Sequence, residues 1–163
     1  MRIVTNASPL IFLSKIDSLG LLQQCFSQIL VAPAVVSETG LDLPDFIEQS
    51  GLSEVGEAFV RGALGTLHRG ELETLMLARE RKINLVAVDD SAARRKAVQM
   101  GFQPIGTVGL LVLGQRRGLL AAPTAAEKLD QLVERHGLYL SIEILRQVHR
   151  ELSEPRQDED ENQ

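Results

Sequence analysis

The chain has 163 residues, of which 44% are hydrophobic, and its net charge at pH 7 is −5. This length is enough for one well-buried core and too short for two ordinary domains. The single cysteine, Cys25, excludes an internal disulfide, and no stretch approaches the roughly 20 apolar residues that a membrane helix needs. The start of the chain lacks the apolar core of a secretory signal, so we expect a cytoplasmic protein with no membrane partner.

The negative charge is concentrated at the C-terminus. Residues 153–163 contain five acidic residues and one arginine, which leaves a net charge of only −1 for residues 1–152. We therefore predict one folded domain over residues 1–152 and a disordered acidic tail over residues 153–163.

The first half of the chain alternates between strand and helix patterns. Residues 2–5 predict a strand, after which Ser8 and Pro9 have the chemistry of a helix cap and a first helical residue. Residues 27–32 predict a second strand, and a helix follows from Pro33 to Gly40. Short helices are predicted over residues 44–49 and 54–61.

The second half repeats the alternation more clearly. Residues 70–81 predict an amphipathic helix, residues 85–88 a strand, residues 91–100 a helix and residues 103–105 an edge strand. Further helices are predicted over residues 106–118, 124–136 and 141–152. Strands that alternate with helices predict an α/β fold with a mostly parallel central sheet covered on both faces.

Polar side chains fall where strands end or where crossover helices begin. Asn6 and the pair Asp89 and Asp90 follow strands, whereas Glu38 and Glu71 lie on helices that follow or precede strands. We expect these side chains to meet at one edge of the sheet, where ligands of parallel sheets bind. Clustered carboxylates repel unless a cation neutralises them, and oxygen ligands suit Mg²⁺ or Mn²⁺. Metal-assisted phosphodiester hydrolysis is the matching reaction, since it needs no protein nucleophile.

Spacing ranks the acidic candidates. Glu71 and Glu73 lie about 200° apart around a helix, so only one can face the site, and Glu71 is nearer the sheet edge. Asp89 directly follows a strand, whereas Asp90 precedes Ser91 and could cap a helix, so Asp89 is preferred. Taken alone, each acid is better explained as a helix-start residue or a solvated charge. Only their joint placement favours a site.

Basic residues form two local clusters that could contact phosphates. The clusters consist of Arg94, Arg95 and Lys96, and of Arg116 and Arg117. Solvated helix faces are the simpler explanation of each cluster. The glycine-rich signatures of dinucleotide and P-loop enzymes and the serine elbow of hydrolases are absent from the sequence.

Five segments of the chain are informative when they are taken together: IVTNASPLI at 3–11, VAPAVVSE at 31–38, GELE at 70–73, DDSAAR at 89–94 and GTVGLL at 106–111. Together they resemble a PIN domain and, more narrowly, a prokaryotic subfamily of PIN-like proteins of unknown function. Each segment alone is weak, but their order is fairly specific, and the similarity covers residues 1–152.

The resemblance implies a three-layer α/β/α fold and a Mg²⁺ or Mn²⁺ site of three or four acids that cleaves RNA. By position the catalytic acids are Glu38, Glu71 and Asp89, with Ser8 as a partner of a metal-bound water. Asn6 and Asp90 are further candidate metal ligands because of where they lie in the sequence, and Ser8 is also a candidate contact for the nucleic acid. Many such domains are toxins of toxin–antitoxin pairs, so the resemblance also implies a small antitoxin partner and a homodimer.

The sequence departs from this family at the first strand. PIN nucleases usually have Asp where this chain has Asn6, although the narrower subfamily often has Asn. An Asn oxygen can bind a cation but contributes no charge, so metal affinity should fall. Two hypotheses follow: a metal-dependent ribonuclease, and a catalytically weak or inactive module that binds nucleic acid or regulates a partner.

Overall fold

The computed structural model describes residues 1–65 and 67–153, and within them the chain forms five strands and nine helices. The strands are β1 (Arg2–Thr5), β2 (Gln28–Val31), β3 (Ile47–Gln49), β4 (Leu85–Ala87) and β5 (Gln103–Ile105). The helices are α1 (Ala7–Lys15), α2 (Gly20–Cys25), α3 (Pro33–Thr39), α4 (Glu54–Ala63), α5 (Arg69–Arg81), α6 (Ser91–Gln99), α7 (Thr107–Arg116), α8 (Ala122–Arg135) and α9 (Ile142–Ser153).

The strands form one parallel sheet in the order β3-β2-β1-β4-β5, which confirms the predicted α/β class. Val4 in β1 pairs with Leu30 in β2 on one side and with Val86 in β4 on the other. Strand order runs outward in both directions from the β1–β4 pair: β2 and β3 follow on the far side of β1, and β5 follows on the far side of β4. The carboxyl ends of β1 and β4 therefore form the point where the strand order reverses, which is the usual ligand site of open parallel sheets.

The apolar sequences of the inner strands are explained by cover on both faces of the sheet. Ile3, Val4 and Val86 are completely buried, as expected for strands at the centre of a parallel sheet. Helix α5 packs on β1 and β4 and also contacts α3 and α4, and its residues 70–78 are all buried. The polar residues of this helix must therefore find partners inside the protein.

Two local predictions were wrong. Residues 44–49 do not form a helix: Ile47–Gln49 is the edge strand β3, which pairs with β2. Three residues are too few for periodicity to distinguish a strand from a helix. Helix α1 begins at Ala7 with Asn6 as its N-cap, so Ser8 is not the cap. Pro9 is then the third helical residue, and its missing N–H is one that no helical carbonyl would have bound.

No helix among the described residues is long and apolar enough to cross a membrane. Ser153 is the last residue of α9, and the remainder of the predicted acidic tail, residues 154–163, lies outside the described residues.

Candidate functional site

An open cleft of about 890 Å³ lies at the carboxyl ends of β1 and β4. Its walls include residues from α1, α3 and α5 and from the segments that follow β1 and β4. The polar residues in the cleft that sequence analysis singled out are Asn6, Ser8, Glu38, Glu71, Asp89 and Asp90. The fold therefore brings together the predicted polar residues, which are up to 84 positions apart in the chain, between Asn6 and Asp90.

The side-chain oxygen of Asn6 is buried and has no hydrogen-bond partner among the described residues. The residue as a whole is 5% exposed. The backbone N–H of Asn6 donates to the carbonyl oxygen of Ala87 at 2.9 Å, which fixes the end of β1 beside β4. A buried polar atom without a partner is unfavourable by about 1–3 kcal/mol. A functional role is one reason why a protein keeps such an atom.

Glu38 is held against the start of α5. Its Oε1 accepts the backbone N–H of Gly70 at 3.1 Å. A Cβ atom on residue 70 would lie 2.6 Å from Oε1 and 2.7 Å from the carboxyl carbon of Glu38. Only glycine lets the Glu38 carboxylate approach this closely, because real Cβ atoms do not tolerate such distances.

Glu71 is a buried carboxylate in a crowded electrostatic environment. Its side chain is in the first turn of α5, and its Oε2 accepts the backbone N–H of His68 at 2.9 Å. Burial is the main cause that raises the pKa of Glu71, and the negative charges of Asp90 and Glu38 raise it further. The hydrogen bond from His68 acts in the opposite direction. A cation near the carboxylates of Glu71, Asp90 and Glu38 would offset the repulsion between their negative charges and would favour the ionised form of Glu71.

Asp89 connects the end of β4 to the start of α7. Its Oδ1 accepts the backbone N–H of Thr107, and its Oδ2 accepts the Thr107 hydroxyl, each at 2.7 Å. Thr107 is completely buried, so the carboxylate satisfies two polar groups that water cannot reach. Asp89 therefore fixes one wall of the cleft as well as lining it.

Thr107→Val is expected to lower the free energy of unfolding by about 1 kcal/mol, the net contribution of one buried hydrogen bond. The valine keeps the backbone bond to Asp89 and loses only the hydroxyl bond, and urea unfolding measures the difference. Ser37→Ala, which removes an exposed hydroxyl, is the control and should stay within about 0.5 kcal/mol of wild type. Equal stability of Thr107→Val and wild type would contradict this account of Asp89.

Asp90 is both a helix cap and a cleft residue. Its Oδ1 accepts the backbone N–H groups of Ala92 and Ala93 at 2.8 and 2.9 Å, which satisfies the first turn of α6. Sequence analysis gave Asp90 second place because it could cap a helix. Its charge nevertheless acts on Glu71, whereas Asp89 is not among the charges that raise the pKa of Glu71.

The first basic cluster lies beside the cleft, not in it. The Nη1 of Arg94 donates to the carbonyl oxygen of Val88 at 3.2 Å, so this guanidinium supports the chain just before the two aspartates. Arg95 and Lys96 line a separate cavity of about 310 Å³ whose other walls include residues of α4 and α5.

The second basic cluster lies at the far end of α7. This helix begins beside Asp89 and ends at Arg116, a rise of about 14 Å. Arg116 pairs with Glu151 at 3.6 Å, and Arg117 donates to the carbonyl oxygen of Cys25. The structure does not bring these two arginines to the cleft, and it gives both of them partners within the protein.

Sequence analysis missed the role of Glu73. This residue is 4% exposed, and its Oε2 accepts the backbone N–H of Ala34 at 3.0 Å in the first turn of α3. Its Oε1 accepts the Nε of Arg69 at 2.7 Å. The i,i+4 spacing of Arg69 and Glu73 is visible in the sequence, but the contact with α3 depends on tertiary packing. Glu73 therefore orients Arg69, which lines the cleft, and anchors the helix that bears Glu38.

The oxygen donors of the cleft fit a hard divalent cation, although the carboxylates alone do not form a complete site. Among the described residues, no group of three His, Cys, Asp or Glu side chains is close enough to hold a metal ion. The buried and unpartnered Oδ1 of Asn6 adds one neutral oxygen donor to Glu38, Glu71 and Asp90. This donor set, all oxygen, is the type that Mg²⁺ and Mn²⁺ prefer.

Comparison with known families agrees with this geometry. A family model described as a PIN domain matches residues 2–154. The chain belongs to the PIN-domain family. The match spans all five strands and nine helices of the described structure, so the PIN domain and the α/β fold are the same unit. PIN domains in general bind RNA and depend on divalent metals. No curated protein and no solved structure matches this PIN domain.

Proposed function

We propose that this PIN domain is a metal-dependent ribonuclease that uses Mg²⁺ or Mn²⁺. The observation that supports the proposal most is the buried Oδ1 of Asn6, which has no hydrogen-bond partner among the described residues and lies in a cleft with Glu38, Glu71 and Asp90. An unpartnered oxygen and mutually repelling carboxylates are both unfavourable, and a cation relieves both at once.

The residues of the cleft divide into ligands and supports. Asn6, Glu38, Glu71 and Asp90 are the residues that would hold the ion. A bound divalent ion supplies a Lewis acid for the phosphate and lowers the pKa of a water molecule. Ser8, in the first turn of α1 and lining the cleft, can donate its hydroxyl to a phosphate oxygen.

Among the two aspartates, Asp90 is the better candidate ligand and Asp89 the better candidate support. Both oxygens of Asp89 accept hydrogen bonds from Thr107, whereas only one oxygen of Asp90 is used in capping α6. The charge of Asp90 also acts on Glu71. This assignment reverses the preference that sequence position alone suggested.

Calorimetric titration of Mn²⁺, with RNA cleavage assayed on the same samples, tests the proposal. Asn6→Ala removes the side-chain oxygen and is expected to weaken Mn²⁺ binding with little change in stability, since Oδ1 makes no hydrogen bond to the residues that the structure describes. Asn6→Asp adds a negative charge and is expected to strengthen Mn²⁺ binding while destabilising the metal-free protein.

The two aspartates are distinguished in the same titration. Asp90→Asn keeps the helix cap, because Asn caps as well as Asp, and is expected to weaken Mn²⁺ binding more than Asp89→Asn does. Absence of Mn²⁺ binding by wild type, together with absence of RNA cleavage, would contradict the ribonuclease proposal.

Asn6 also favours a second candidate, a PIN domain that binds RNA without cleaving it. A neutral amide in place of a carboxylate leaves a weaker site. This candidate predicts RNA retention that decreases with salt and no product formation. The toxin role, an antitoxin partner and a homodimer follow from the resemblance alone and remain predictions.

A further inference from the structure

Tyr139 is an aromatic side chain exposed at the rim of the cleft. It is the only tyrosine in the chain, lies between α8 and α9, and is 89% exposed. It nevertheless lines the cleft that contains the acids. An exposed aromatic ring that lines a cleft offers a flat surface on which another ring can stack.

The cleft has apolar walls as well as an acidic floor. Ile11 and Phe12 on α1 and Leu138 beside Tyr139 line it together with the carboxylates. A nucleotide has the same division, with a flat base that stacks on aromatic and apolar surfaces and a phosphate that needs cations and hydrogen-bond donors.

Arg69 gives the cleft an oriented cation. Its Nε is held at 2.7 Å by Glu73, which is buried and also bonded to α3. The two Nη groups of Arg69 have no hydrogen-bond partner among the described residues, and the side chain is 57% exposed. An arginine held through Nε keeps its outer donors for a phosphate, which it can bind with two parallel bonds.

We propose that the cleft binds one unpaired RNA nucleotide next to the bond to be cleaved, with its base stacked on Tyr139 and its phosphate bound by Arg69. This inference rests on the proposed ribonuclease function. Glu73 acts as a positioning residue for Arg69. A base within a duplex is already stacked on both faces, so single-stranded RNA is the substrate class that can use Tyr139.

Binding of a short fluorescent oligouridylate, measured by anisotropy, tests the role of Tyr139. The full chain carries Glu71→Gln so that the RNA stays intact during the measurement. Tyr139→Ala is expected to weaken binding roughly 5- to 150-fold, the usual effect of losing one base–aromatic stack. Tyr139→Phe keeps the ring and is expected to stay within about 2-fold. Equal binding by the Ala and Phe variants would overturn the inference.

The salt dependence of the same binding tests Arg69. Arg69→Ala is expected to reduce the slope of log affinity against log salt by roughly 0.7, the value for one phosphate contact on a single strand. The matched control is Arg79→Ala on the opposite end of α5, which should leave the slope unchanged. If Arg69→Ala unfolds because Glu73 loses its partner, the double variant with Glu73→Gln removes the unpaired charge and is measured instead. An unchanged slope in the folded variant would overturn the role of Arg69.

Cleavage by chains without Glu71→Gln separates this inference from the proposed function. Tyr139→Ala is expected to raise KM with kcat within about 2-fold, because stacking binds substrate and transition state equally. Cleavage with the same KM in wild type and Tyr139→Ala would leave the ribonuclease proposal standing and overturn the inference. Tyr139-dependent RNA binding without cleavage by wild type would support the binding role of Tyr139, and would contradict both the ribonuclease proposal and the placement of the nucleotide next to a cleaved bond.

Discussion

Glu71→Gln is expected to abolish metal-dependent RNA cleavage and to make the metal-free protein more stable. Loss of a ligand carboxylate should lower activity by more than about 100-fold, because mutation of residues that only hydrogen-bond to metal ligands already lowers activity by up to about 100-fold. The free energy of unfolding should rise by about 0.5–2 kcal/mol, as when other strained functional groups are removed. The glutamine oxygen can still accept the His68 N–H, so the start of α5 is preserved.

The pH dependence of this stability difference follows from the raised pKa of Glu71. Burial, with Asp90 and Glu38, makes ionisation harder in the folded state than in the unfolded state. The free energy of unfolding of wild type therefore falls relative to that of Glu71→Gln as pH rises above 4.5, the ordinary pKa of a glutamate. The difference disappears at lower pH, where Glu71 is protonated in both the folded and the unfolded protein. Thermal unfolding of both proteins between pH 4 and pH 8, without metal, measures it.

Two comparisons make the Glu71 result interpretable. Mn²⁺ should raise the melting temperature of wild type by mass action and have little effect on Glu71→Gln. Glu134→Gln, at an exposed position on α8, is the control for the loss of a carboxylate and should change neither activity nor stability appreciably. Full activity in Glu71→Gln would contradict the assignment of this cleft as the active site.

Gly70→Ala is expected to disable the site without changing any of its acids. The added Cβ would lie 2.6 Å from Oε1 of Glu38, so the carboxylate must move away from the start of α5. Metal affinity should fall by about 10–100-fold, the usual effect of disturbing the support of a ligand. Because Gly70 lies in a helix, alanine should also stabilise the helical conformation by about 1 kcal/mol. A loss of activity in this variant would therefore not reflect unfolding.

Gly62→Ala is the matched control for this substitution. Gly62 also lies in a helix, α4, and nothing is within 4 Å of a Cβ at that position. It should gain stability of about 0.5–1 kcal/mol with unchanged Mn²⁺ affinity. Calorimetric titration of Mn²⁺ into the two variants measures the contrast. Equal affinities would show that the approach of Glu38 to Gly70 does not matter for metal binding.

Sequence and structure agree best where periodicity and turn chemistry are strong. The helix over 70–81 and the strands before Asn6 and Asp89 all lie within one residue of their predicted bounds. The sequence predicts a helix where the structure has edge strand β3. The three residues of β3 pair with β2 through backbone hydrogen bonds, which leave no pattern in the side chains. The N-cap of α1 is predicted at Ser8 but lies two residues earlier, at Asn6. The sequence does not distinguish them, because Asn6, Ser8 and Pro9 all favour a helix start.

The sequence by itself determined the parallel α/β class and the set of polar residues that line one sheet edge, because both depend on local periodicity and on where strands end. The family followed from the resemblance of five ordered segments to a PIN domain. Only the tertiary structure decided what each polar residue contacts: Asp89 binds Thr107, Glu73 binds Ala34 and Arg69, and Gly70 makes room for Glu38. These contacts join positions from 4 to 39 residues apart, and packing of α3 against α5, and of α5 and α7 against the sheet, brings the distant ones together.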